Sequence, residues 1–167
     1  RILTPGTITE DGLLDEDLDT LVVAIYGGNL SGYGLASIDI NGSRFDGFQV
    51  ETRIEMEREL ERLNPTEIVL PQENPDLIPR KWESKIQLLP NKNYETAHTE
   101  SILKQHLKSL NLRDPSIQYS NPIFVAAGAV LTYCVNTNGG ELKNISSLKI
   151  EDLRENLKLD NFTRRNL

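Results

Sequence analysis

Residues 33–40 alternate: Ala36, Ile38 and Ile40 fall on one face, Leu35, Ser37 and Asp39 on the other. That two-residue period is the signature of a strand. Ahead of it lies Leu21 to Tyr26, a compact apolar run closed by Gly27-Gly28, which reads as a buried strand. Behind it comes Asn41-Gly42, a dipeptide that tolerates the positive φ angles of a tight hairpin turn. Arg44 to Val50 then makes a third strand, with Phe45 and Phe48 as its bulkiest residues. The two differ in parity, so the strand either carries a bulge or is buried on both faces. The glycines of Gly27-Gly28 and Gly32-Tyr33-Gly34 shape the hairpin between the first two strands. The chain thus opens as an antiparallel meander, since such short connections cannot make a parallel crossover.

Past residue 50 the pattern changes. Thr52 with Glu55 three residues later forms a capping box. The helix it announces uses Ile54, Met56, Leu60 and Leu63 and ends before Pro65. Glu67 to Leu70 is a strand stopped by Pro71, and Ile86 to Leu89 a short one stopped by Pro90. Between them, 72–85 reads as a loop with one short helix around Trp82. A helix is expected over 95–110, with Ile102, Leu103, His106, Leu107 and Leu110 near one face. Asn121-Pro122 opens the clearest helix, because a first-turn proline lacks only an N–H that would go unused. Ile123, Phe124, Ala127, Val130, Leu131, Cys134 and Val135 follow at helical spacing up to Asn138-Gly139-Gly140. Residues 142–159 read as an extended exit. A meander followed by α/β crossovers predicts an α/β domain: a mixed five-stranded sheet flanked by helices, the element order of the ribonuclease H-like fold.

Nucleases of that fold hold two metal ions with clustered carboxylates. Asp39 is the first candidate and Asp46 the next; Glu55, Glu57, Glu59 and Glu61 read as a solvated helical face. His98 and His106 stand eight residues apart, about 12 Å of helical rise, which is too far to share an ion. They read as a surface and a boundary histidine. Ser31 and Ser37 lack a neighbouring base, and no Gly-Lys-Ser/Thr follows the glycines. Tyr26, Tyr33, Phe45 and Phe48 could stack bases on the sheet, but without interleaved cations they read as core. Cys134, the only cysteine, excludes an intrachain disulfide and reads as an inert core thiol in a reducing, cytoplasmic setting. The formal net charge is −7, with Glu10, Asp11, Asp15, Glu16, Asp17 and Asp19 crowded near the start. Phosphate binding needs clustered cations, so this segment should not grip nucleic acid on its own. No apolar run approaches the ~20 residues that cross a bilayer. No catalytic, metal or cofactor site is expected here.

Ordered phrases add a resemblance. Arg1-Ile2-Leu3-Thr4-Pro5-Gly6-Thr7, Leu13-Leu14, Gly32-Tyr33-Gly34-Leu35-Ala36, Ile38-Asp39-Ile40, Leu63-Asn64-Pro65-Thr66-Glu67-Ile68 and Ala126-Ala127-Gly128-Ala129 with Tyr133 are similar, in order, to the MutS family of DNA mismatch-recognition proteins. Leu159-Asp160 with Thr163-Arg164-Arg165-Asn166-Leu167 resembles the start of that family's lever. The hairpin turn around Asn41-Gly42 and the stretch 72–95 depart from the family pattern.

The resemblance implies a division into residues 1–12 as a linker from a mismatch-binding domain, 13–156 as the connector domain and 157–167 as the start of the lever helix. It implies a ribonuclease H-like connector without enzymatic activity, relaying nucleotide-driven rearrangement between DNA clamp and ATPase. It also implies a docking surface for a MutL-like matchmaker. ATP and Mg2+, mismatched DNA and homodimer contacts would belong to other parts of the full-length protein. Pro5 and Gly6 are hinge candidates, as is the exit at 151–160. Glu55, Glu59 and Arg62, on the helix around 52–63, and the 142–156 exit are candidate partner surfaces. The alternatives are a metal-dependent ribonuclease H-like nuclease or resolvase built on Asp39, and a stand-alone protein-interaction domain.

Overall fold

The computed structural model describes residues 20–41, 44–107, 118–140, 142 and 144–151. The meander is present as read. β1 (Leu21–Gly28), β2 (Gly32–Asp39) and β3 (Arg44–Val50) pair antiparallel in turn, with Gly28 opposite Gly32 and Asp39 opposite Arg44. Gly27, at φ +130, lets the β1–β2 hairpin close; a Cβ there would sit 2.1 Å from the Gly32 carbonyl oxygen. The β2–β3 register runs unbroken from Tyr33↔Val50 to Asp39↔Arg44, so β3 has no bulge. Its parity problem is solved by two-sided burial instead. Phe45 and Phe48, each 2% exposed, enter separate cores on opposite faces of the sheet.

α1 (Arg53–Leu63) begins at the expected box: the Glu55 N–H donates to Thr52 Oγ1 at 3.1 Å, and the Thr52 hydroxyl donates to Glu55 Oε1 at 3.2 Å. Met56 and Leu60 are fully buried, but Ile54 is 64% exposed. Two residues are about 200° of helix, so Ile54 turns away from the face that Met56 sets. Asn64 ends the helix in the left-handed conformation, at φ 46.

β4 (Glu67–Pro71) returns parallel to β1, and β5 (Ile86–Leu89) parallel to β4. Between them the expected short helix is a 3-10 turn, Arg80–Lys85, that buries Trp82. A second 3-10 turn, Asn91–Tyr94, follows β5 and was not legible in the sequence. α2 (Thr96–His106) and α3 (Pro122–Thr137) cover the opposite face of the sheet. Position 110, counted in the longer expected helix, lies outside the described residues. The Asn121 side chain caps α3 by accepting the Ile123 N–H at 2.9 Å, with Pro122 in the first turn. Every residue from Val125 to Cys134 is buried, more than a single face would account for. α3 lies between the sheet and α2, so it needs apolar residues all round.

One strand exceeds the expectation. Lys149–Glu151, read as part of an extended exit, forms β6 and pairs parallel with β3. The sheet is therefore six-stranded, in the order β5-β4-β1-β2-β3-β6, rather than five-stranded. A three-residue run with Ile150 exposed carries no periodicity, and only the free edge of β3 makes it a strand. β2 alone runs against the other five. Helices on both faces explain why β1 and β4 read as nearly continuous apolar runs.

Candidate functional site

Asp39 ends β2, at the edge of the sheet where β1 and β3 begin. Strand register places Ser37, Asp39, Asp46 and Phe48 on the face covered by α1. Together with Arg44, Arg62 and Glu151 they line a cleft of about 230 Å3. The three carboxylates are drawn together by three strands, but each is engaged. Asp39 Oδ1 accepts from the Thr20 hydroxyl at 3.2 Å. Arg44 pairs with Asp46 at 3.2 Å, and Lys149 with Glu151 at 3.8 Å. The Arg62 guanidinium, hydrogen-bonded to Glu59 at 2.7 Å, is held above its ordinary value by that bond first and by the charges of Glu59 and Glu151 after it. Among the described residues no group of three or more His, Cys, Asp or Glu is placed to hold a metal ion. The arrangement brings opposite charges from the end of α1, β3 and β6 to one cleft, with each of the three carboxylates already holding a partner.

Of the α1 residues, Glu55 is occupied by the helix cap, and the half-buried Glu59 forms an i,i+3 pair with the exposed Arg62. Such a pair contributes only ~0.5 kcal/mol to stability, which leaves it available for other contacts. Pro5, Gly6 and the expected domain limits near 12 and 157 lie outside the described residues.

The histidines join neighbouring elements. His98 is half-buried, with its Nε2 2.7 Å from Thr132 Oγ1. The Thr132 hydroxyl gives its one proton to the Gly128 carbonyl at 2.7 Å, so the ring is the donor to Thr132. His106 works in the other direction, its Nε2 accepting the Leu142 N–H at 3.1 Å. The surface reading of His98 is thereby corrected: α3 packs against it. Burial pushes the His98 ring below its usual value; Glu95 opposes this and Lys92 adds to it. A histidine depressed in the folded state destabilises it once the unfolded chain takes up the proton. Stability is therefore complete above pH ~6.5 and falls as pH drops through that value and the lower folded one. Thermal melts between about pH 7.5 and 5.5 should show a smaller pH dependence in His98→Gln than in the unchanged chain. Equal dependence would contradict this.

Cys134 is fully buried, and its thiol is pushed far up by burial, with Glu67 adding to the effect, so it is no nucleophile. Tyr33, Phe45 and Phe48 are buried, which removes the base-stacking platform. Tyr26 is half-buried and stacks on Tyr94, with centroids 5.5 Å apart. Sequence reading missed that pair, because Tyr94 comes to β1 only through the fold.

The sequence that folds into this six-stranded mixed sheet, with helices on both faces, also matches a family model. The family described as MutS domain II matches residues 20–146. This chain belongs to the MutS family, as its domain II. MutS domain II has the ribonuclease H-like fold, and as a MutS-like connector domain it has its place in DNA mismatch repair. The stretch 72–95 departs from the family's phrases, yet the match runs through it. Among the described residues no helix is long and apolar enough to cross a membrane.

Proposed function

We propose that this MutS domain II is a non-catalytic connector. It relays nucleotide-driven rearrangement between the DNA clamp and the ATPase of a full-length, homodimeric, cytoplasmic MutS protein, and it presents a docking surface to a MutL-type matchmaker. Mismatched DNA, ATP and Mg2+ would be bound by other domains of that protein. The observation that carries this reading is the family match across residues 20–146. The charged cleft supports it from a second side. Asp39, the best acid for a nuclease of this fold, is held by Thr20, and its neighbour Asp46 by Arg44. Arg62, near the end of α1, and Glu151, on β6, carry opposite charges and line the same cleft, so a shift of either element would alter the attraction between them.

The test has two arms. The chain incubated with Mg2+ should cleave neither branched DNA nor an RNA–DNA hybrid, and should hydrolyse no ATP. Cleavage lost in Asp39→Asn would overturn the non-catalytic role. In a full-length protein carrying this domain, Glu59→Cys on α1 and Ser147→Cys before β6 would each be crosslinked to MutL. Buried Cys134 should not compete. Nucleotide-dependent crosslinks from at least one position are expected, and none from either would remove these two faces as the docking surface.

A further inference from the structure

A larger cleft, of about 750 Å3, opens at the end of the sheet away from Asp39. β1, β4 and β5 are parallel and all finish there, at Gly28, Pro71 and Leu89. The chain also changes direction across the sheet there, with β2 and β3 laid to one side of β1 and β4 and β5 to the other. Carboxyl ends of parallel strands at such a reversal are where open α/β sheets hold ligands. The walls include Tyr26, Ser31, Glu73, Asn74, Tyr94 and Glu95, and among the described residues no Lys, Arg or His lines the cleft. We propose that this cleft receives an arginine side chain of a protein partner, an inference that goes beyond the connector role and does not depend on it.

Four observations converge. The lining offers two carboxylates and amide and hydroxyl oxygens, and among the described residues no Lys, Arg or His in it; the whole chain carries a net −7. A planar guanidinium can donate to several such acceptors at once, which a compact ammonium cannot do in one plane. Next, the Tyr26–Tyr94 stack, at 24° between planes, puts aromatic rings in the same wall, and Tyr26 remains half-exposed. A guanidinium over an aromatic face is attracted by the ring's negative quadrupole. Tyr94 itself is 5% exposed, and its hydroxyl has no hydrogen-bond partner among the described residues; burial holds it neutral, as a donor or acceptor.

Third, the walls are held in place. The Gln72 N–H donates to the Leu89 carbonyl at 3.0 Å, the Asn74 N–H to that of Pro71 at 2.9 Å, and the Glu73 N–H to Asn91 Oδ1 at 2.9 Å. A ligand would therefore meet a formed site, with little ordering to offset binding. Fourth, Leu30 stands fully exposed on the turn between the lining residues Gly28 and Ser31. That turn is pinned, with the Tyr33 hydroxyl donating to Asn29 Oδ1 at 2.9 Å and Gln49 Nε2 to the Ser31 carbonyl at 3.2 Å. A fixed apolar residue beside a polar cleft suits a polypeptide with its own apolar contact, and a free small cation would make no use of it.

The experiment is amide chemical-shift mapping of the 167-residue chain with acetyl-arginine-amide, and with acetyl-citrulline-amide as the neutral isostere. Saturable shifts confined to residues 26–31, 71–77 and 91–96 are expected with arginine. Citrulline should give none at equal concentration. The Glu73→Gln/Glu95→Gln double variant should weaken arginine binding by about tenfold while its spectrum reports an intact fold. Equal response to citrulline, shifts spread over the α1 acids as strongly as over the cleft, or an unchanged double variant would each overturn the proposal. Spermidine binding more tightly than the arginine amide would overturn the assignment to a protein side chain.

Discussion

Gly34→Ala is expected to destabilise the fold by about 3 kcal/mol, near the upper end for overpacking a closed core. Gly34 lies in β2, directly beneath the start of α3. A Cβ there would stand 2.1 Å from the Pro122 carbonyl carbon, 2.2 Å from its oxygen and 2.4 Å from the Ile123 nitrogen. All three are backbone atoms, so no rotamer change relieves the contact. α3 must move off the sheet, and the move is resisted at its first turn, where Asn121 caps Ile123. It is resisted along its length by residues buried from Val125 to Cys134. For a chain of this size the loss corresponds to a melting temperature lower by roughly 10 °C. Gly139→Ala is the control: that glycine has open space around it but a φ of +78, so it tests backbone strain without a clash. Its cost should stay near 1 kcal/mol. A Gly34→Ala chain that melts within a degree or two of the unchanged one would mean that α3 does not rest on β2 as described.

The same contact marks where sequence reading stops. Gly32-Tyr33-Gly34 was read as hairpin geometry, and for the turn that holds: Gly32 has φ +78. Gly34 has no unusual backbone angle; it is glycine because a helix 88 residues later crosses it. Nothing local announces such a contact. β1, β2, α1 and α3 were legible because their signals are local: alternation, a capping box, a proline in a first turn. β6 was not, since three residues with one exposed isoleucine become a strand only by finding the edge of β3.

The candidate sites divide the same way. Asp39 could be singled out by its place on a strand, but the groups that occupy it and its neighbours arrive from Thr20, Arg44 and the last turn of α1. His98 and His106 were rightly separated by helical rise, yet their bonds to Thr132 and Leu142 reach 34 and 36 residues along the chain. The larger cleft had one usable signal. Pro71 and Pro90 each stop a short strand, and parallel strands that stop together leave their carboxyl ends side by side.

Phe48→Ala is expected to cost about 3–5 kcal/mol, the range for removing a buried aromatic ring whose site cannot collapse. Phe48 is among the largest fully enclosed side chains and shares its cluster with Val23, Ile25, Leu35, Met56, Leu60 and Trp82. That cluster is the contact between the sheet and α1, so the loss should fall first on α1. Its amides should exchange with solvent faster, relative to those of α3, than in the unchanged chain. Phe45→Ala should reverse the order, because Phe45 belongs to the cluster of α2 and α3 on the other face. The pair of variants tests the two-sided burial that the parity of β3 first raised. Two cores served by one strand predict opposite patterns of local opening, whereas a bulge with both rings on one face predicts the same pattern twice. Both patterns also bear on the proposed connector role, since α1 carries Arg62, which faces Glu151 of β6 across one cleft. If Phe48→Ala loosens α1 while β6 keeps its protection, opening of α1 is not passed to β6, and the route proposed between them is removed.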